Sequence, residues 1–263
     1  MPRAYLRLFR LTALAVFWVE FLAGDPLPVR HMRGFIHGFV VVKDAGGQML
    51  GSGEVIQTPA GNHINGIMVL HFKDGSLYQE TTVYSQRRVF QLLRYKQVLK
   101  GPSFQRNETL AFDTATGNVH VEYTDEKGKP KVISDRLSLP ADLSNGMIPT
   151  LLGEVNPKVE TTLSMVVSTP KPRVVKLKIS AAGEDSFSVG RVSFKAIHYV
   201  IKIDIGGLTG VAAKVAGKQP PPVDTWFSKE APTFLRSDGP LYEDGPVWRI
   251  ELAAPVWPDS EGK

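Results

Sequence analysis

Residues 191–205 read Arg-Val-Ser-Phe-Lys-Ala-Ile-His-Tyr-Val-Ile-Lys-Ile-Asp-Ile. Ile197, Tyr199, Ile201, Ile203 and Ile205 fall on one side of an extended chain, and His198, Val200, Lys202 and Asp204 on the other. A period of two is the signature of a half-buried strand, whereas a helix would scatter these apolar positions around its axis. The same alternation recurs along the chain. Val175, Leu177 and Ile179 oppose Lys176 and Lys178. Val119, Val121 and Tyr123 oppose His120 and Glu122, and Trp248, Ile250 and Leu252 alternate with Arg249 and Glu251.

Turn chemistry separates these runs. Asp44-Ala45-Gly46-Gly47, Asp125-Glu126-Lys127-Gly128 and the stretch Asp113 to Asn118 join glycine, which tolerates positive φ, to aspartate, which bonds its own backbone. Asp74-Gly75, between two apolar runs, predicts a hairpin with a two-residue loop. Short strands joined this often predict a mostly β fold: a curled antiparallel sheet or open half barrel. One segment differs. After Pro140, residues Asp142 to Gly153 carry Leu143, Met147, Ile148, Leu151 and Leu152 at spacings near three and four, which predicts a short amphipathic helix lying across the concave face. Leu208 to Ala216 is a second, weaker helical candidate.

Composition narrows the function classes. The chain has 263 residues, 43% of them hydrophobic, and no cysteine. That suits a globular core and excludes disulfides, thiolate metal sites and a cysteine nucleophile. Arg3, Arg7 and Arg10 followed by apolar Leu11 to Val19 and the small pair Ala23-Gly24 read as a signal peptide or short anchor over residues 1–24, although Glu20 interrupts the apolar run. Residues 25–263 then form one β-rich domain, with a proline- and aromatic-rich stretch from about residue 218. The expected location is the periplasm or cell envelope, because an exported chain without disulfides suits a bacterial envelope. The net charge of +5 falls to +3 outside the leader and is interleaved with acids, so a nucleic-acid partner is not expected.

A two-residue loop at Asp74-Gly75 would set His71 opposite Tyr78 and Val69 opposite Glu80. Phe72, Leu70, Met68, Leu77 and Val83 would then be core. The other face would gather His71, Tyr78, Glu80, Thr82 and Tyr84, a cluster able to bind a polar head group or exchange protons. The plain alternative is a solvated outer face of cross-strand pairs. Gln86-Arg87-Arg88, with Arg94, Lys96 and Lys100, forms the densest basic patch, suited to an anionic lipid or carboxylate or else to protecting a strand edge. The candidate ligand-binding set is therefore His71, Tyr78, Glu80, Tyr84, Arg88 and His198. No metal or cofactor is expected: the six histidines lack ligand spacing, and phosphate-loop, dinucleotide and Gly-x-Ser-x-Gly motifs are absent. Ser168-Thr169-Pro170-Lys171 matches a Ser-x-x-Lys nucleophile only in spacing, because Pro170 and Pro172 forbid the required helix.

Leu110-Ala111-Phe112-Asp113 with Gly117-Asn118-Val119, then Leu137-Ser138-Leu139-Pro140 and Asp142, resembles the strand–turn–strand and helix of a periplasmic family of unknown function. The whole plan is similar to the open-barrel carriers that localise lipoproteins. The resemblance covers about a fifth of the chain and transfers no site residue. The excess of apolar and aromatic residues on the strands, Met68, Leu70 and Phe72 among them, together with the missing catalytic motifs, leads to the expectation of a non-enzymatic envelope protein binding a lipid, an acyl chain or another apolar ligand. Two other expectations stand beside it: an extracytoplasmic hydrolase or lyase using His71, Glu80 and Tyr84, and a structural module meeting an envelope protein partner through an exposed patch at Trp226 and Trp248.

Overall fold

Three hairpin loops share one device. At residues 45–47, 73–75 and 126–128, the residue before the loop pairs with the residue after it, and a glycine closes the third loop position with positive φ: Gly47 at 85°, Gly75 at 86° and Gly128 at 74°. Such a three-residue loop is a type I turn followed by a left-handed residue. Asp44, Asp74 and Asp125 each turn a carboxylate oxygen back onto a backbone N–H of the loop or its exit.

The computed structural model describes residues 24–168, 171–189, 192–204, 220–229 and 233–253. The strands are β1 (Ile36–Lys43), β2 (Met49–Ala60), β3 (His63–Phe72), β4 (Leu77–Gln86), β5 (Phe90–Lys100), β6 (Glu108–Asp113) and β7 (Asn118–Thr124). They continue as β8 (Pro130–Arg136), β9 (Thr161–Val167), β10 (Arg173–Val189), β11 (Val192–Asp204), β12 (Val223–Ser228), β13 (Phe234–Gly239) and β14 (Trp248–Leu252). They build one antiparallel 14-stranded sheet in the order β8-β7-β6-β5-β4-β3-β2-β1-β14-β13-β12-β11-β10-β9. Two meanders, β1–β8 and β9–β14, are thus joined in mid-sheet by the β1–β14 pair, with Val40 opposite Leu252 and Lys43 opposite Arg249.

The sheet is curled but not closed. Buried Tyr84, Leu92, Leu110 and Val121 from one limb share a core with Leu163, Leu177, Ile179 and Tyr199 from the other, so the limbs face each other. A second cluster fills one end, where Phe72, Phe104 and Trp248 pack edge to face or tilted at 5.0–6.0 Å between ring centres. A Cβ on Gly53 would overlap the Val69 carbonyl, so only glycine permits that approach of β2 to β3.

The segment between the two edge strands, residues 137–160, runs into the concavity. It is helical only at α1 (Ile148–Leu151) and a 3-10 turn at Leu152–Glu154. The expected helix from Asp142 is shortened because Gly146 takes a φ of 64° and Pro149 fits only the first helical turn. Ahead of α1 the chain instead protects the β9 edge. The Asp142 carbonyl and the Ser144 N–H pair with Ser164, and the Asn145 amide both donates to the Val166 carbonyl and accepts from its N–H, at 2.9 and 2.8 Å. Met147, Leu151 and Leu152, all buried, fill the interior behind it. Residues 1–23 of the leader and the second helical candidate lie outside the described residues.

Candidate functional site

The three-residue loop at 73–75 shifts the β3–β4 register by one from the two-residue expectation. Leu70, not His71, stands opposite Tyr78, and Met68 stands opposite Glu80. Because side chains alternate, a one-residue slip moves a whole strand to the other face. Tyr78, Glu80, Thr82 and Tyr84 therefore point inward, while His71 lies exposed on the outside with half-buried Leu77 and Val83. The predicted six-residue constellation is not assembled. Arg88 is exposed beyond the end of β4, its carbonyl accepting from the Val29 N–H. His198 lies in the opposite limb on β11, stacked on Trp226 at 4.5 Å and bonded to Asp224 at 2.7 Å. His71 and Glu80 cannot act as an acid–base pair across the sheet.

What the inward face does assemble is a carboxyl–tyrosine cluster. The Tyr95 hydroxyl on β5 donates to Glu80 Oε1 at 2.5 Å, and Gln97 donates to the Tyr78 oxygen at 3.2 Å. Burial pushes the Glu80 carboxyl above its ordinary range, against the opposing effect of the hydroxyls of Tyr95 and Tyr78. Burial, reinforced by the Glu80 charge, drives the Tyr78 and Tyr95 phenols well above theirs. The phenols stay neutral donors. Tyr95 stands opposite Thr82 in the β4–β5 pair, a register that the Asp74-Gly75 hairpin does not set, so the hairpin reading gave no signal for it as the partner of Glu80.

Two buried acids on the inserted segment escaped the sequence reading. Glu154, with a fully buried side chain, accepts from the Arg30 N–H and from Arg33 Nη2, each at 3.0 Å, and lies 3.4 Å from His31 Nδ1. Asp142, equally buried, lies 3.4 Å from Lys176 Nζ. The partners are distant in sequence, so no local motif marks them. Both bind the inserted segment into the fold and do not line a cleft.

On the outer face of β4–β7 lies an open hollow of about 440 Å³, bordered by Thr81, Val83, Arg94, Lys96, Asp113 and His120, with Ala111 in its floor and Asp113 opposite Arg94 in the β5–β6 pair. Its floor is predominantly apolar, with small Ala111 leaving the space between longer neighbours. Arg94 and Lys96 are exposed, and among the described residues neither has an ion-pair partner. His120 is held between Ser134 and Glu122, each at 3.0 Å. This part of the basic patch thus coincides with a concavity. Trp248 is buried and Trp226 is covered by Arg236, whose guanidinium sits 4.6 Å from the ring, so the expected exposed tryptophan patch is not formed. Among the described residues no three His, Asp or Glu side chains gather as metal ligands, and no helix is long and apolar enough to cross a membrane.

An unclosed, curled antiparallel sheet with an inserted segment defines a mostly β protein of the open half-barrel kind. The chain belongs to the family described as protein of unknown function DUF3108, which it matches over residues 48–241. No curated protein matches it. Two solved structures are similar in fold, each at 10% identity. One is a hypothetical lipoprotein, YmcC, from Escherichia coli K12, with a TM-score of 0.40 over 84% of this chain and 86% of that one. The other is a β-barrel-like protein of domain of unknown function DUF1849 from Brucella abortus, with a TM-score of 0.47 over 87% and 100%. The strand–turn–strand and following segment noted in the sequence are β6, β7 and the chain entering the concavity.

Proposed function

We propose that this is a non-enzymatic protein of the bacterial cell envelope that binds an amphipathic anion, a lipid or acyl chain with an acidic head, in the outer hollow. The observation that carries this reading is the pair of exposed cations, Arg94 and Lys96, which have no ion-pair partner among the described residues, above a floor of Thr81, Val83 and Ala111, with the single carboxylate of Asp113 beside Arg94. An acyl chain would lie on the apolar floor while its head meets the guanidinium and ammonium groups. The basic then apolar N-terminal sequence supports delivery to the envelope. The interior is less suited, because Met147, Leu151 and Leu152 already occupy it.

Titration with palmitate, followed by calorimetry, tests the reading. Wild-type protein is expected to bind, the double variant Arg94→Glu/Lys96→Glu to bind about tenfold or more weakly, and His71→Ala to bind as wild type. Absence of wild-type binding, or binding indifferent to Arg94 and Lys96, would overturn it.

A further inference from the structure

The two edges of the sheet are treated differently. β9 is covered along its outer side by Asp142 to Asn145, whereas among the described residues nothing pairs with the outer side of β8. β8 is exposed along its length apart from half-buried Ile133, and Val132 is 61% exposed. The Leu137 N–H donates to the Gly117 carbonyl at 2.9 Å, which marks that pair as hydrogen-bonded. Alternation along the ladder then directs the backbone groups of Lys131, Ile133 and Asp135 to β7 and leaves those of Val132, Ser134 and Arg136 facing outward. Pro130, which has no N–H to offer, also falls on the outward side, where an edge tolerates it.

We propose that β8 is an interface for a second copy of this chain, pairing antiparallel with its own counterpart about Ile133. In this register the outward-facing backbone groups of Val132 meet those of Ser134 in the other copy. The two Ile133 side chains face each other as a close, non-hydrogen-bonded pair. Lys131 of each copy lies opposite Asp135 of the other, so the charges are complementary at both ends. Registers shifted by two residues in either direction lose both Lys131–Asp135 pairs. Lys131 is available to serve, since among the described residues its ion-pair partner is Asp125 at 3.7 Å and its side chain is half exposed. The same charges that discourage pairing with an arbitrary strand thus favour pairing with an identical one.

Sedimentation velocity over a concentration series tests this, with circular dichroism confirming the fold of each variant. Wild-type protein is expected to show a reversible monomer–dimer equilibrium. Asp135→Lys, which sets lysines opposite one another twice, should weaken association about tenfold or more, and the exchange Lys131→Asp/Asp135→Lys should restore it. Wild-type protein that stays monomeric throughout overturns the proposal, as does association that survives Asp135→Lys or is not restored by the exchange. Palmitate binding is read separately, so this test can fail while the outer hollow still binds its ligand.

Discussion

Tyr95 and Glu80 are joined across the β4–β5 pair by a 2.5 Å hydrogen bond, with the phenol as donor and a carboxyl held above its ordinary range as acceptor. Below the ordinary carboxyl range both folded and unfolded chains keep the proton. As pH rises, the unfolded chain releases it first, so the folded state loses stability through that window. Glu80→Gln removes this titration. Its melting temperature relative to wild type should rise between about pH 4 and about pH 7, measured by calorimetry at both. A constant difference would show that Glu80 titrates alike in both states.

Asp238 should give the opposite slope. Burial raises its carboxyl, but hydrogen bonds from Arg236 and Arg249 prevail and hold it below the ordinary range. The stability it contributes is present above the ordinary aspartate range and is lost as pH falls through the lowered value. Asp238→Asn should therefore destabilise at neutral pH and lose part of that deficit on acidification, as read from urea midpoints at matched pH.

Glu154 ties residues 30–33 to the inserted segment. Among the described residues, Glu154→Ala leaves the Arg33 guanidinium, 10% exposed, with the Thr150 carbonyl as its hydrogen-bond acceptor and no carboxylate. Removing one member of a buried charge pair costs about 3 kcal/mol or more. The variant should melt lower and be cut by trypsin after Arg30 and Arg33 under native conditions where wild type resists.

Asn145 stands in for a strand residue against β9. Asn145→Ala leaves the Val166 N–H and carbonyl unpaired and should cost about 2 kcal/mol in chemical denaturation. Asn145→Asp still accepts from Val166 N–H but cannot donate to its carbonyl, so it should not rescue stability.

The fold was legible wherever burial is one-sided. Ile197, Tyr199 and Ile201 point inward and His198 and Val200 outward, as their alternation requires, and Val175, Leu177 and Ile179 behave alike. The candidate site was not legible, because Asp74-Gly75 satisfies two loop lengths. Local chemistry places the glycine at a positive φ but does not say whether it is the second loop residue or the third. Asp44 to Gly47 and Asp125 to Gly128, each spaced for a three-residue loop, held the clue to the pattern. The inserted segment failed for a different reason. Its apolar spacing reports burial in the concavity, while Gly146 and Pro149 decide how little of it is helical.

The β1–β14 ladder lies at the middle of the sheet although its strands come from opposite ends of the described chain. In most open sheets damage begins by fraying at a border. Here the contact that must close the longest stretch of polypeptide is the central one. Loosening it at Val42 or Ile250 would part the molecule along a median seam into an eight-stranded and a six-stranded leaf, hinged on residues 137–160.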